Sequence, residues 1–239
     1  MLSSFAMAVL LARRELASAL ARPWAATMLG AWLVLAATLT LWLDDVFGGG
    51  RATMASAQFW FGAALVLWVP AVSGSSLAGR SGRTLASLPI SAVEQVLGHW
   101  LAHGALVGAA LTLTVPWWVA LGVHGSLDPG PVVAGYLGLA LVGGALCAVG
   151  VAASAWAERP ATAVLTTLLV GGVPWWVGVA LPLVPAPWVP WVLPLSASHH
   201  LARLAAGSVE LGSVVALGAA IVVPLRVAVH VVHHRRLGP

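Results

Sequence analysis

Two histidines with metal-ligand spacing, His99 and His103, are the residues of this sequence whose types and positions first suggest chemistry. Residues four apart share one face of a helix, and paired imidazoles in that arrangement bind transition metals. No cysteine or carboxylate in the local sequence completes the ligand set, and the H-E-x-x-H pattern of zinc enzymes is absent. We therefore predict no catalytic residue and no metal site. An intramembrane enzyme that uses His99, His103 or His199 remains the least favoured hypothesis.

The composition is that of an integral membrane protein. Of the 239 residues, 60% are hydrophobic and 8% are charged, whereas about a quarter of the residues are charged in soluble domains. Backbone groups find no water in lipid, so apolar runs of about 20 residues without alternating polarity must form helices. We therefore expect an all-α fold, with residues 1–239 forming one polytopic transmembrane domain.

Lysine is missing from the sequence, because all 11 basic residues are arginines. The phosphate-binding loop G-x-x-x-x-G-K-[ST] requires a lysine, so this chain cannot form one. We expect no cofactor on this chain, and any ATP and Mg²⁺ that drive it must be bound by a partner. The arginines lie beside the apolar runs, where they indicate membrane topology rather than a nucleic-acid partner.

Hydropathy predicts six membrane spans, which places both termini on the same side of the membrane. Only Arg51 and Arg203 fall on the opposite side, and every other arginine falls on the side of the termini. The positive-inside rule therefore assigns the termini to the cytoplasm. The predicted spans cover residues 24–43, 55–76, 97–123, 132–156, 161–183 and 211–232.

The N-terminal segment is predicted to be an interfacial helix that lies along the cytoplasmic membrane surface. Arg13, Arg14 and Glu15 mark this helix, and the two arginines lie away from its apolar face. That face is a stripe at helical spacing, formed by Phe5, Val9, Ala12, Leu16 and Leu20.

The link between the second and third spans, residues 80–103, is the longest charged and polar connection on the basic side. After the break at Pro89 it restarts as a helix at Ser91. Glu94 follows three residues later, the spacing of a capping box. A short structured helix between two spans transmits force better than a flexible loop does. We predict that a partner could act on this chain through a surface of this link, formed by Arg83, Leu85, Leu88, Pro89 and Glu94.

Two further segments have patterns that predict packing. Residues 182–210 are too rich in proline to span and too apolar to lie in water, which indicates a re-entrant or interface-lying element on the outer side. Within it, residues 198–204 are typical of a short amphipathic helix. Small residues on the fourth span predict close helix packing inside the bundle; they are Ala140, Gly144, Ala148 and Ala152.

Several short motifs resemble those of the ABC-2 type transporter permeases. The R-R-E-L at 13–16 resembles the opening of that family, and the S-L-P-I-S at 87–91 resembles its cytoplasmic coupling link. Segments 128–154 and 200–207 are similar to its gliding-motility and nitrous-oxide-reductase-maturation branch. The run at 96–103 is similar to the haem-exporter permease of cytochrome maturation.

The resemblance implies the membrane subunit of an exporter in the bacterial plasma membrane. Its partners would be a separate ABC ATPase and a second copy of this chain, or a similar permease, with surrounding lipid. ATP and Mg²⁺ would be bound by the ATPase, which would couple to this chain through the predicted surface of the link, formed by Arg83, Leu85, Leu88, Pro89 and Glu94. Two alternatives stay open: a non-transporting membrane subunit or scaffold that transmits ATP-driven force to an outer assembly, and a haem-exporter-like permease.

Overall fold

The structure, a computed structural model, describes residues 4–21, 23–43, 54–74, 76–78, 90–124 and 128–237. Within these ranges the regular elements are helices, and short 3-10 turns precede and follow α8. The α-helices are α1 (Ser4–Leu20), α2 (Pro23–Leu43), α3 (Met54–Ser73), α4 (Ala92–Thr112), α5 (Val115–His124), α6 (Pro129–Trp156), α7 (Pro160–Ala180), α8 (Val189–Val192), α9 (Ala197–Ala205) and α10 (Leu211–Leu237).

Among the described residues, five helical segments are long and apolar enough to cross a membrane. The described part of α2 adds a shorter apolar stretch, Ala26–Trp42. The all-α class is thereby confirmed, and the length and composition of these helices are consistent with a membrane protein, whereas the sixth span stays a prediction. The five segments are Ser56–Ser73, Ala92–Val119, Pro129–Trp156, Pro160–Leu183 and Leu211–Arg236.

Helix α6 is the centre of the bundle, because it contacts α3, α4, α7, α9 and α10. It starts at Asp128, whose Oδ1 accepts a hydrogen bond from the Gly130 amide at 3.0 Å, and Pro129 occupies its first turn. The predicted small-residue face packs inside the bundle only in part: Gly144 lies against Ile221 of α10 and Ala148 is fully buried, whereas Ala152 is half-buried and Ala140 is exposed. Small side chains let the axes of α6 and α10 approach closely.

The predicted third span is interrupted. It starts at residue 92 rather than at 97, and its helix ends at Thr112 before α5 begins at Val115. Pro116 explains the break, since it has no amide hydrogen to donate to the carbonyl of residue 112. In the first turn of α5 the same proline is well tolerated, because the amides there have no helical acceptor.

Helices α7 and α10 turn apolar side chains outward, such as Leu169 and Val173 on α7 and Val223 on α10. Exposed aliphatic faces of this extent are unusual in soluble monomers and normal where lipid is the solvent. The described bundle therefore has a packed interior around α6 and an apolar exterior.

Candidate functional site

The predicted ATPase-coupling surface lies partly within the described residues. Arg83, Leu85, Leu88 and Pro89 fall outside them, and the chain is described again from Ile90. Glu94 is on the first turn of α4, at the point where the link enters the bundle. The described part of the chain therefore includes the two places where the link joins the helices, residues 76–78 and 90–95.

Helix α4 begins with the predicted capping box. The Ser91 Oγ accepts a hydrogen bond from the Glu94 amide at 3.2 Å, and the Glu94 Oε2 accepts one from the Ser91 amide at 2.8 Å. Each bond satisfies a backbone donor that the helix itself cannot satisfy. The carboxylate also lies at the positive end of the helix dipole. The predicted capping box is confirmed, but it starts α4 itself, which continues to Thr112, rather than a separate short helix between two spans.

Arg236, in the last turn of α10, holds this helix start in place. Its guanidinium donates to the carbonyl oxygen of Ile90 and, at 2.6 Å, to the Oε1 of Gln95. Gln95 is buried and Arg236 is half-buried, so these bonds are partly shielded from water. Charge-assisted hydrogen bonds of this kind are about twice as strong as neutral ones. The end of α10 is therefore tied to the residue that follows the link.

The other side of the link is anchored to the same end of the bundle. Ser76 and Ser154 place their hydroxyl oxygens 3.1 Å apart, and the Ser154 hydroxyl donates to the carbonyl of Val151. Leu77 is buried in an apolar cluster with the first turns of α4 and the last turns of α6 and α10. We call this end of the bundle, defined by residues 76–78, 90–95, 151–160 and 228–236, the link end.

Helix α1 packs along α4. Leu11 lies directly on the backbone of α4 at Gly98, where even a methyl group would meet its side chain at 2.7 Å. Ala8 is fully buried, whereas Phe5 and Leu20, two members of the predicted apolar stripe, are exposed. The buried face of α1 is thus rotated from the predicted one. Two other members of the stripe do face the bundle, since Ala12 is buried and Leu16 packs against the core.

The marker residues of the predicted interfacial helix lie on the outside of α1. Arg13 and Arg14 are exposed, and Glu15 is half-buried. The exposed arginines are suitably placed for lipid headgroups or for a protein partner, and the assignment of an interfacial role to them remains a prediction.

The opposite end of the bundle is closed by residues 181–210, which we call the cap. It consists of short 3-10 turns, α8 and α9. Helix α9 contacts α3, α6, α7 and α10. Its polar face is outward and its apolar face is buried through Leu201, Leu204 and Ala205. The predicted amphipathic helix at 198–204 is confirmed.

Three glycines lie at close contacts at or beside the cap. Gly138 on α6 and Gly178 on α7 form the seat on which the cap rests, because a side chain there would collide with Leu201 or with the hydroxyls of two cap serines. Gly62 on α3 instead meets the indole of Trp175, a residue of α7, with Leu201 of the cap beside it. Only glycine lets these partners approach the backbone so closely. The Ser198 hydroxyl then donates to the carbonyl of Trp175 at 2.9 Å, which fixes the cap on α7.

Polar contacts join the cap to α10. The His200 Nε2 lies 3.0 Å from the carbonyl oxygen of Pro194, and its Nδ1 lies 3.1 Å from the Ser213 Oγ. A carbonyl only accepts, so Nε2 carries the proton. Arg203 forms an ion pair with Glu210 just before α10 begins. His200 therefore connects the cap, through Ser213, to the first turn of α10.

His199 is partly exposed in the cap. Partial burial lowers the pKa of His199 from its ordinary value of 6.5, and the charges of His200 and Arg203 lower it further, while Glu210 opposes them. The neutral imidazole is thereby favoured.

A chain of hydroxyl groups bridges the break between α4 and α5. The Thr114 Oγ1 donates to the carbonyl of Leu111 at 2.6 Å, so it accepts from the Tyr136 hydroxyl at 2.5 Å. The Trp118 indole in turn donates to Tyr136 at 2.7 Å. Tyr136 thus holds both sides of the break against α6. A cleft of about 110 Å³, lined by Thr40, Phe61 and Thr114 among others, lies beside it.

The histidine pair lies on α4, with His99 buried and His103 half-buried. The two ring centroids are 6.4 Å apart, and the Nε2 of His99 has no hydrogen-bond partner among the described residues. The described ranges contain no group of three histidine, cysteine or acidic side chains that could hold a metal ion. Within those ranges the two imidazoles form a stacked pair without a third ligand.

The sequence analysis missed Gln95 and Arg236. It used Arg236 only as one of the arginines that indicate membrane topology. Arg236 instead makes two protein contacts. Its two acceptors lie more than 140 residues away in sequence, and only the buried glutamine beside the capping box gave a local signal of a polar contact.

A scan against known protein families finds no match, and a search of curated proteins finds no similar one.

Proposed function

We propose that this chain is the membrane-spanning permease subunit of an ABC-2 type exporter, powered by ATP that a separate ATPase chain hydrolyses. The observation that carries the proposal is the fixed start of α4 directly after the link. Ser91 and Glu94 cap this start, and Arg236 ties it to α10. A helix start held from two sides moves with the bundle when a partner pushes on the link.

The sequence supports the same conclusion independently. The absence of lysine means that the chain has no phosphate-binding loop of its own, so work driven by ATP must come from a partner. The motifs at 13–16 and 87–91 resemble those of the permease family, as set out above. We assign Arg83, Leu85, Leu88, Pro89 and Glu94 to the docking surface.

In the proposed topology α2 is the first of six spans, and the termini and the link end face the cytoplasm of the bacterial plasma membrane. The distribution of arginines supports this orientation. Arg159 and Arg235 lie at the link end, whereas Arg203 at the cap is paired with Glu210. A second copy of the chain, or a similar permease, would complete the exporter, and the cap would close its outer side.

The first test is co-purification of the tagged chain from its native membranes, with photoactivated ATP analogues used to label any bound ATPase. We expect a labelled ATPase with the unaltered chain and none with Leu88→Arg or Glu94→Arg. Since Glu94→Arg also removes the cap bond to Ser91, Glu94→Gln serves as its control, because the amide oxygen still accepts that bond. Val209 is an exposed residue of the cap. Val209→Arg therefore serves as the control for the effect of adding an arginine away from the link.

Two results would contradict the proposal. If the unaltered chain retains no ATPase, it is not the subunit of such an exporter. If Arg83→Cys reacts with a membrane-impermeant thiol reagent in intact cells, the link faces away from ATP. A complex that moves with nucleotide but shows no flux in reconstituted vesicles would instead favour the force-transmitting scaffold.

A further inference from the structure

Helix α10 connects the link end of the bundle to the cap. It runs without interruption through 27 residues, Leu211–Leu237, and is about 40 Å long at the rise of an α-helix. Ser213 in its first turn contacts His200 of the cap, and Arg236 in its last turn contacts Ile90 and Gln95. Directional polar contacts therefore hold both ends of this one helix.

The contacts between these two ends are of a different kind. Along its middle, α10 lies on the small-residue face of α6, where Ile221 contacts Gly144. Ala228 and Val232 pack on Val151 in the apolar cluster at the link end. A helix surface formed by small residues has low ridges. Packed helices slide past one another by small shear movements more easily over such a surface. Helix α10 is held by polar contacts at its ends and by apolar contacts with small residues along its middle. This arrangement suits a helix that shifts along its own axis.

Helix α4 is less suited to the same task. It also starts at the link end, but its hydrogen-bond ladder stops at Thr112, and α5 continues only from Val115. Pro224 removes one amide donor from α10, but the helix continues through it. Of these two helices, α10 is therefore the continuous one.

We infer that α10 is the element that conveys displacement of the link to the cap, with Arg236 and Ser213 as the positioning residues at its two ends. This inference rests on the proposed function, because it names the route by which ATPase movement at the link would open or close the outer side. The basic end of α10, at Arg236, thereby has a mechanical role rather than simple attraction to lipid. Coupling of this kind requires that a change at one end alters the other.

The first experiment needs no ATPase and measures amide hydrogen exchange of the full chain in lipid nanodiscs. In Arg236→Gln the first-turn amides of α4 should exchange about tenfold faster, since a charge-assisted tie is lost. The amides of α9, at the far end of α10, should also exchange faster. In Arg235→Gln, which removes the same charge but only a bond to the Trp156 carbonyl, both regions should stay unchanged.

A second variant, Gln95→Leu, removes one acceptor of Arg236 and keeps the arginine. It therefore tests the same contact if Arg236→Gln misfolds. It should give the same pattern with a smaller change. If exchange in α9 is unaltered in both variants while α4 is loosened, the ends are not coupled and the inference is wrong. It is equally wrong if Arg235→Gln loosens α9 as much as Arg236→Gln does.

The second experiment uses the complex with the ATPase. ATP should change exchange in α9 of the unaltered complex, and this response should be lost in Arg236→Gln and in Ser213→Ala although the ATPase remains bound. A normal ATP response of α9 in both variants would overturn the inference. If no ATPase binds the unaltered chain, the proposed function fails, and the nanodisc experiment still decides whether α10 couples the two ends.

Discussion

Substitution of Gly62 by alanine tests whether α3 packs against the Trp175 indole of α7 through a glycine backbone, as the structure indicates. A methyl group at residue 62 would lie 2.1 Å from Cη2 and 2.6 Å from Cζ3 of Trp175, and 3.1 Å from Cδ2 of Leu201. Ordinary contacts begin at 3.4 Å, so the indole would have to withdraw by more than an ångström. It has little room, because it is fully buried, its ring centroid lies 5.2 Å from that of Phe59, and its carbonyl is bonded to Ser198.

Overpacking of this kind costs about 1–3 kcal/mol. Helix propensity favours alanine over glycine by up to about 1 kcal/mol, and a control must remove that contribution. Gly104→Ala in α4 provides it, because no atom lies within 4 Å of a methyl group there. We expect Gly62→Ala to unfold at lower denaturant concentration than Gly104→Ala, by the cost of the clash, when unfolding in detergent is followed by circular dichroism. Equal stability of the two variants, within about 0.5 kcal/mol, would refute the close packing of Trp175 on Gly62.

Three further changes have defined outcomes. Ser91→Ala should destabilise the start of α4 by about 1 kcal/mol, and its first-turn amides should exchange faster with solvent hydrogen. Ser91→Asp should restore their protection. Unchanged exchange in the alanine variant would exclude the capping box. Tyr136→Phe removes the acceptor of the buried Trp118 indole, so we expect a loss of about 1–3 kcal/mol in thermal unfolding and a shifted Trp118 emission, neither of which should occur if the hydroxyl chain does not form. Because the folded-state pKa of His199 lies below 6.5, the unfolded chain protonates first as the pH falls. Cap stability should therefore decline below about pH 6.5 and be constant above it, and His199→Gln should reduce this decline; an unchanged pH profile in that variant would contradict the shift.

The parts of the fold that the sequence predicted well depend on local patterns. Apolar runs near the length of a bilayer predicted the helices of the bundle, because burial of backbone groups in lipid leaves no other structure. The capping box was predictable from Ser91 and Glu94 alone, since both bonds form within one turn. The seven residues at 198–204 predicted α9 from their amphipathic pattern.

The parts that the sequence did not predict depend on contacts between distant residues or on competing local signals. The break before Val115 is marked by Pro116, but the hydropathy of the third span is continuous across it, so length and polarity alone give one helix. The tie from Arg236 to Gln95 joins residues 141 apart. The glycines at close helix contacts are predictable as small residues, but only the fold shows that Gly62 faces an indole of α7 and Gly138 a leucine of the cap.

The contact of α1 with α4 has a consequence for the order of biosynthesis. Leu11 is made long before Gly98, and at about 5–20 residues per second the ribosome needs roughly 4–17 seconds to reach the latter. During this delay the face of α1 that packs on α4 lacks that partner, although α2 can already contact α1, and in a chain inserted into a membrane the lipid surface is the nearest apolar alternative. Helix α1 would lie on the membrane surface until α4 is made and would then pack on α4. A helix that first lies on the bilayer can in this way become part of the bundle.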